Sequence, residues 1–143
     1  MNSQSRLHSC GTTVLRIVVG VIFVMHGWQK LSWGFAHVAE FLGSVHVPVP
    51  AVAAVLLTLV ELLGGIALIV GVLVRYVAAL LAIDMLVAIT LVHFKHGFFI
   101  SNGGLEFPLL LLAANINLIL SGAGSISVSS LRKKTTSGTA TEP

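Results

Sequence analysis

Charge is what this chain has least of. Only 9% of its 143 residues are Asp, Glu, Lys or Arg, where a soluble domain carries about a quarter. With 56% hydrophobic residues and a mean hydropathy of +1.00, no segment outside the apolar runs is long enough to build a water-facing core, which excludes a soluble fold. Cysteine is nearly missing as well. The single Cys10 makes no internal disulfide and belongs to no C-x-x-C motif, so any dithiol chemistry needs a partner protein. Glycine-rich phosphate loops, a dinucleotide fingerprint and a Ser-His-Asp order are all lacking. So is a small-residue cleavage site: His26-Gly27-Trp28-Gln29-Lys30 follows the first apolar run, which reads as a retained anchor. The pI near 9.5 does not mark a nucleic-acid binder. Its surplus gathers in Arg132, Lys133 and Lys134 beside a span, where it reads as an orientation signal.

What is present is four apolar runs, at about 13–28, 51–74, 77–94 and 105–120, each of a length suited to crossing a bilayer. They predict an all-α integral membrane four-helix bundle in the bacterial cytoplasmic (inner) membrane, with the lipid bilayer as its first partner. Between the first two runs, Phe35, Val38, Ala39, Phe41 and Leu42 have the spacing of a short amphipathic helix on the membrane surface. The chain divides into an N-terminal segment at 1–12, a membrane domain at 13–128, and a disordered Ser/Thr/Gly-rich tail at 129–143. Arg6, Arg75 and Arg132 to Lys134 fall on one side, against Lys30 and Lys95 on the other. Both termini are therefore expected in the cytoplasm, with the short helix outside.

The stretch Arg16 to Leu31 carries the strongest pattern. Arg16, Gly20, Phe23, Gly27 and Lys30 are spaced 4, 3, 4 and 3, which aligns them on one helix face. That face should meet protein, because glycines admit a neighbouring helix and a charge avoids hydrocarbon. Glu61 and Asp84, the only charged residues of their runs, fall midway along them, and Asn115 reaches a similar depth. A buried network of Arg16, Glu61 and Asp84 with Asn115 is expected, either to fix helix register or to handle protons or a ligand. A carboxyl in low dielectric favours its protonated form unless a cation compensates, which would suit proton exchange. His26 and His93 lie on different helices at similar depth, the arrangement of a bis-histidine haem, but that reading is the weaker one. His93 and His96 have metal-ligand spacing without a supporting cysteine, and no metal site is assigned. His37 and His46 read as solvated.

Taken in order, R-x-x-x-G-x-x-F-x-x-H-G-x-x-K-L at Arg16 to Leu31, V-x-V-P at Val45 to Pro48, E-L-L-G-G-I-A-L-I-V-G at Glu61 to Gly71, and H-x-x-x-G-F-F at His93 to Phe99 form a series. With G-G-x-E-x-P-L-L-L-L at Gly103 to Leu112 and S-G-A-G-S-I-S at Ser121 to Ser127, it resembles the DoxX family of small bacterial membrane proteins. The family's usual acidic residue after the last motif is missing, since Val128 and Ser129 follow Ser127. The resemblance implies a four-helix membrane domain and a link to redox proteins, through relatedness to the membrane subunit of thiosulfate:quinone oxidoreductase. The expected function is a membrane subunit or partner in passing electrons from a thiol or sulfur compound to quinone. Arg16, His26, Lys30, Glu61, Asp84, His93 and Asn115 would form the quinone or proton site. Quinone is the one cofactor this reading names, and a redox partner protein must be assumed. Two alternatives remain: a small transporter or channel, which would form a homo-oligomer, and a non-catalytic assembly or stress protein whose buried charges are structural.

Overall fold

A computed structural model describes residues 3–124, and the described chain is helical throughout its length apart from short connections. Helix α1 runs Ser3–Trp33, α2 Phe35–Ser44, α3 Pro50–Val70, α4 Val74–Ala88 and α5 Glu106–Ser121. The expected tail at 129–143 lies outside the described residues. The segment at 1–12 was expected to be a separate polar stretch; from Ser3 it is the first part of α1. The Thr12 and Thr13 hydroxyls there donate to the carbonyls of His8 and Ser9 one turn back, which absorbs side-chain polarity into the helix.

Three helical stretches, Leu7–Trp33, Pro50–Val70 and Val74–His96, are long and apolar enough to cross a membrane, and α5 is a shorter apolar helix. The surfaces say the same. Leu56, Leu63, Leu80, Ile83 and Leu110 are exposed, while Arg16, Thr58, Glu61 and Asn115 are buried. This inversion suits a bilayer as solvent.

Each junction has a local cause. Gly34, at φ 86°, lets the chain leave α1 and start α2 at once; a side chain there would be strained. Pro50 opens α3, where its missing N–H costs nothing. Gly71 closes α3 in the left-handed region, with its N–H on Ala67 O at 2.9 Å and that of Val72 on the same carbonyl at 3.0 Å. Beyond Ala88 the fourth helix widens into a π-helical turn, Ile89–His93, then tightens into a 3-10 turn, Phe94–His96.

Packing is set by α1 against α3 and by α4 against α5, with α2 laid on α3. The anticipated glycine face of α1 is the seam. A Cβ on Gly20 would stand 2.7 Å from Gly65 O, one on Gly65 2.6 Å from Gly20 O, and one on Gly27 2.6 Å from Leu62 N. The two backbones are in contact, which is how helices gain packing energy where lipid gives no hydrophobic drive. Phe23, Leu68, Leu81, Met85, Leu111 and Leu118 fill the core among α1, α3, α4 and α5. A second cluster, Val38, Leu42 and Ala54, fastens α2 to the first half of α3.

Candidate functional site

The α1–α3 seam runs antiparallel, so its glycine contacts fix which side chains share a level. Gly27 meets Leu62 and Gly20 meets Gly65 and Ile69, which brings Lys30 beside Glu61. Lys30 Nζ donates to Glu61 Oε2 at 2.6 Å, and the two side chains are 20% and 5% exposed. The cation on Glu61 is therefore Lys30, not Arg16. Arg16 lies about 21 Å lower on α1, level with the end of α3, where its guanidinium donates to Ala123 O at 2.6 Å and to Ile69 O at 3.4 Å. The expected Arg16–Glu61 pairing fails because the sequence does not state the offset between the two helices. Asn115 is also apart: fully buried in α5, it donates Nδ2 to Leu111 O of its own helix at 2.9 Å.

Asp84, from α4, does join Glu61. Asp84 lines the same cavity as Glu61 and Lys30 and feels the charge of both, and its buried Oδ2 has no hydrogen-bond partner among the described residues. Two carboxyls and one ammonium thus converge from three helices.

The cluster borders two cavities. The larger, about 470 Å³, has Lys30, Glu61 and Asp84 at one side and Trp33, Val38, Phe41, Leu57 and Leu91 among its walls. That volume falls in the range of small-molecule sites, roughly 300–1,000 Å³. The smaller, about 290 Å³, also touches the ion pair and is walled by Phe23, Ile100, Gly103, Gly104, Phe107 and Pro108. His26, Lys30, Glu61, Met85, Ala88 and His93 border both.

His26 and His93 are thereby brought to the same site. The His26 ring lies 6.1 Å from that of Phe107. His93 closes the π-helical turn, and its Nδ1 is 2.6 Å from Gly103 O. A carbonyl can only accept, so Nδ1 carries the hydrogen and Nε2 is the nitrogen left for other partners. Turns of this width recur at functional sites because they re-aim a side chain.

Sequence reasoning missed His37 and Gln29. His37 lines the larger cavity and packs edge-on to Trp33, ring centres 5.8 Å apart. The signal available was the amphipathic pattern of Phe35 to Leu42, whose Val38 and Leu42 dock on α3 and so fix how α2 sits over the cavity.

Comparison with known proteins bears on this geometry. The family model described as DoxX matches residues 11–94, a span that includes Lys30, Glu61, Asp84 and His93. A Bacillus subtilis (strain 168) protein named "Putative oxidoreductase CatD" is 35% identical over 113 residues, covering 79% of this chain and 80% of that one. An uncharacterized protein of Haemophilus influenzae is 33% identical over 129 residues, 87% of this chain and 92% of the other. No solved structure matches the chain.

Proposed function

This chain belongs to the DoxX family, and from that premise we propose that it is the membrane subunit of a quinone-linked oxidoreductase, holding a quinone head group in the cavity beside Lys30, Glu61 and Asp84. The observation that carries the reading is the buried Asp84 Oδ2 without a partner, at the edge of an apolar cavity of about 470 Å³ that also exposes an ammonium. A ring oxygen needs a donor when it is a carbonyl and an acceptor when it is a hydroxyl. Lys30 N–H meets the first need and Asp84 Oδ2 the second. Glu61 holds Lys30 in place and, beside Asp84, gives a proton a second carboxyl to occupy. A bound quinone supplies the two-electron, two-proton carrier that the side chains lack.

The electrons come from a partner. Cys10, the one cysteine, sits about 30 Å along α1 from Lys30, too far to donate to a ring at the cavity. A thiol or sulfur donor must therefore dock at the cavity end of the bundle. Placing the chain in the bacterial cytoplasmic membrane, with both termini cytoplasmic, follows from the same reading and from the positions of Arg75 and the terminal basic residues.

Trp33 lines the larger cavity, which provides a direct assay, because quinones quench indole fluorescence. In a Trp28→Phe background reconstituted in nanodiscs, a short-chain quinone is expected to quench Trp33 saturably. Asp84→Asn should weaken binding of the quinol more than of the quinone, and Lys30→Met should weaken the quinone about tenfold, equivalent to about 1.4 kcal/mol. Unsaturable quenching, identical in all three proteins, would remove the proposal and leave the transporter reading to be tested by flux.

A further inference from the structure

The segment between α4 and α5 does something the quinone reading does not require. We propose that it is a re-entrant plug whose Phe98–Phe99–Ile100 edge sits among the acyl chains of the leaflet at the cavity end, forming a wall between the lipid and the smaller cavity.

The first argument is length. Helix α5 has 16 residues and spans about 24 Å, short of a hydrocarbon layer of about 30 Å. Its lower end is tied to water level by exposed Arg75, which donates to Leu120 O at 3.4 Å, and the buried Arg16 guanidinium donates to Ala123 O just beyond it. The shortfall of roughly 6 Å therefore falls at the upper end, which puts the chain joining α4 to α5 at acyl depth.

The second is how the segment treats its own backbone. Irregular chain is tolerated in a membrane only when its polar groups are satisfied by protein. Here Leu105 N–H donates to Gly97 O, Glu106 N–H to Phe98 O and Gly104 N–H to Phe99 O, at 2.9 to 3.1 Å. The Glu106 carboxylate accepts from the Ile100 N–H at 2.8 Å, and His93 Nδ1–H donates to Gly103 O. The strands of this knot touch: a Cβ on Gly104 would lie 2.6 Å from Gly97 O.

The third is what the segment presents outward. Phe94, Phe98, Phe99 and Ile100 are 71, 53, 63 and 56% exposed; Ser101, Asn102 and Gly103, which follow them, are exposed as well, and Gly104 is buried against the smaller cavity. Aromatic and aliphatic groups outside with satisfied backbone inside is the arrangement for lipid. Lys95 and His96, exposed at the start of the segment, suit the headgroup layer above it.

The test is collision accessibility of a spin label. In a Cys10→Ser background in phosphatidylcholine bilayers, labels go at Phe99→Cys and Ile100→Cys. Leu63→Cys on the lipid-facing side of α3 and Glu40→Cys on α2 serve as references for lipid and water. The oxygen-to-nickel-chelate accessibility ratio at 99 and 100 is expected within about twofold of that at 63 and well above that at 40. Ratios matching position 40 would overturn the plug and mark the edge as a water-facing surface for a protein partner. Should the labelled variants fold poorly, Phe98→Trp in a background lacking Trp28 and Trp33 gives the same answer. Brominated acyl chains must quench it, and iodide alone quenching it refutes the proposal. Neither outcome depends on whether a quinone binds, so failure here and failure of the functional reading are separable.

Discussion

Lys30 and Glu61 decide whether the cluster is intact. A charge stranded in the bundle by loss of its partner is expensive, about 3 kcal/mol or more for a pair this buried. Lys30→Met and Glu61→Gln should each lower the melting temperature in detergent, while the double variant should cost clearly less than their sum. Additive shifts would mean that the 2.6 Å contact carries no coupling. His93 makes a second prediction at this scale. His93→Phe removes the donor to Gly103 O and should raise amide exchange across residues 97–105, whereas His93→Asn, which keeps an N–H at a similar place, should not. Equal protection in both variants would show that the bond does not hold the segment. Side chains such as these were partly legible in the sequence. The 4-3-4-3 spacing put Arg16, Gly20, Phe23, Gly27 and Lys30 on one face, and in the fold Arg16 and Phe23 are 2% and 1% exposed. Which cation meets which acid was not legible, because spacing fixes a face but not an axial offset.

At the scale of helices, that offset is set by two glycines facing one another. Gly65→Ala pushes a methyl to 2.6 Å from Gly20 O and 2.7 Å from Val24 N, both backbone atoms that have no rotamer to escape into. A loss of about 1–3 kcal/mol is expected. Gly64→Ala, one residue away, meets only side-chain carbons of Leu81 and Val77 at 3.4 Å and should be nearly neutral in the same thermal-shift assay. A neutral Gly65→Ala would show that the seam is looser than drawn. The existence of the helices and of α2 followed from apolar run length and periodicity. The π-helical turn at Ile89–His93 did not, since no residue in Ile-Thr-Leu-Val-His distinguishes a wide turn from an ordinary one. With that turn went the aim of His93.

One helix of the molecule, α5, is short for its solvent, while three other stretches are long enough to cross it. With α5 covering about 24 Å, the bundle should be most stable in bilayers thinner than average. Melting measured across phosphatidylcholines of increasing chain length should peak at the short end, since each ångström of mismatch costs a fraction of a kcal/mol. A flat profile would mean that the segment joining α4 to α5 fully compensates for the missing length.

The pairing of Lys30 with Glu61 also has a direction in time. The partners are 31 residues apart, and at about 5–20 residues per second the ribosome needs roughly 2–6 s to add them. The cation is made first. It stands one turn from the end of α1 at Trp33, on a side chain long enough to keep its ammonium at the surface while it waits. Glu61, halfway along α3 on a shorter side chain, has no such refuge, and its counter-ion has been synthesised before it. The reverse order would leave a carboxylate stranded in hydrocarbon for those seconds, so the succession of helices along the chain is itself a cheap route of assembly.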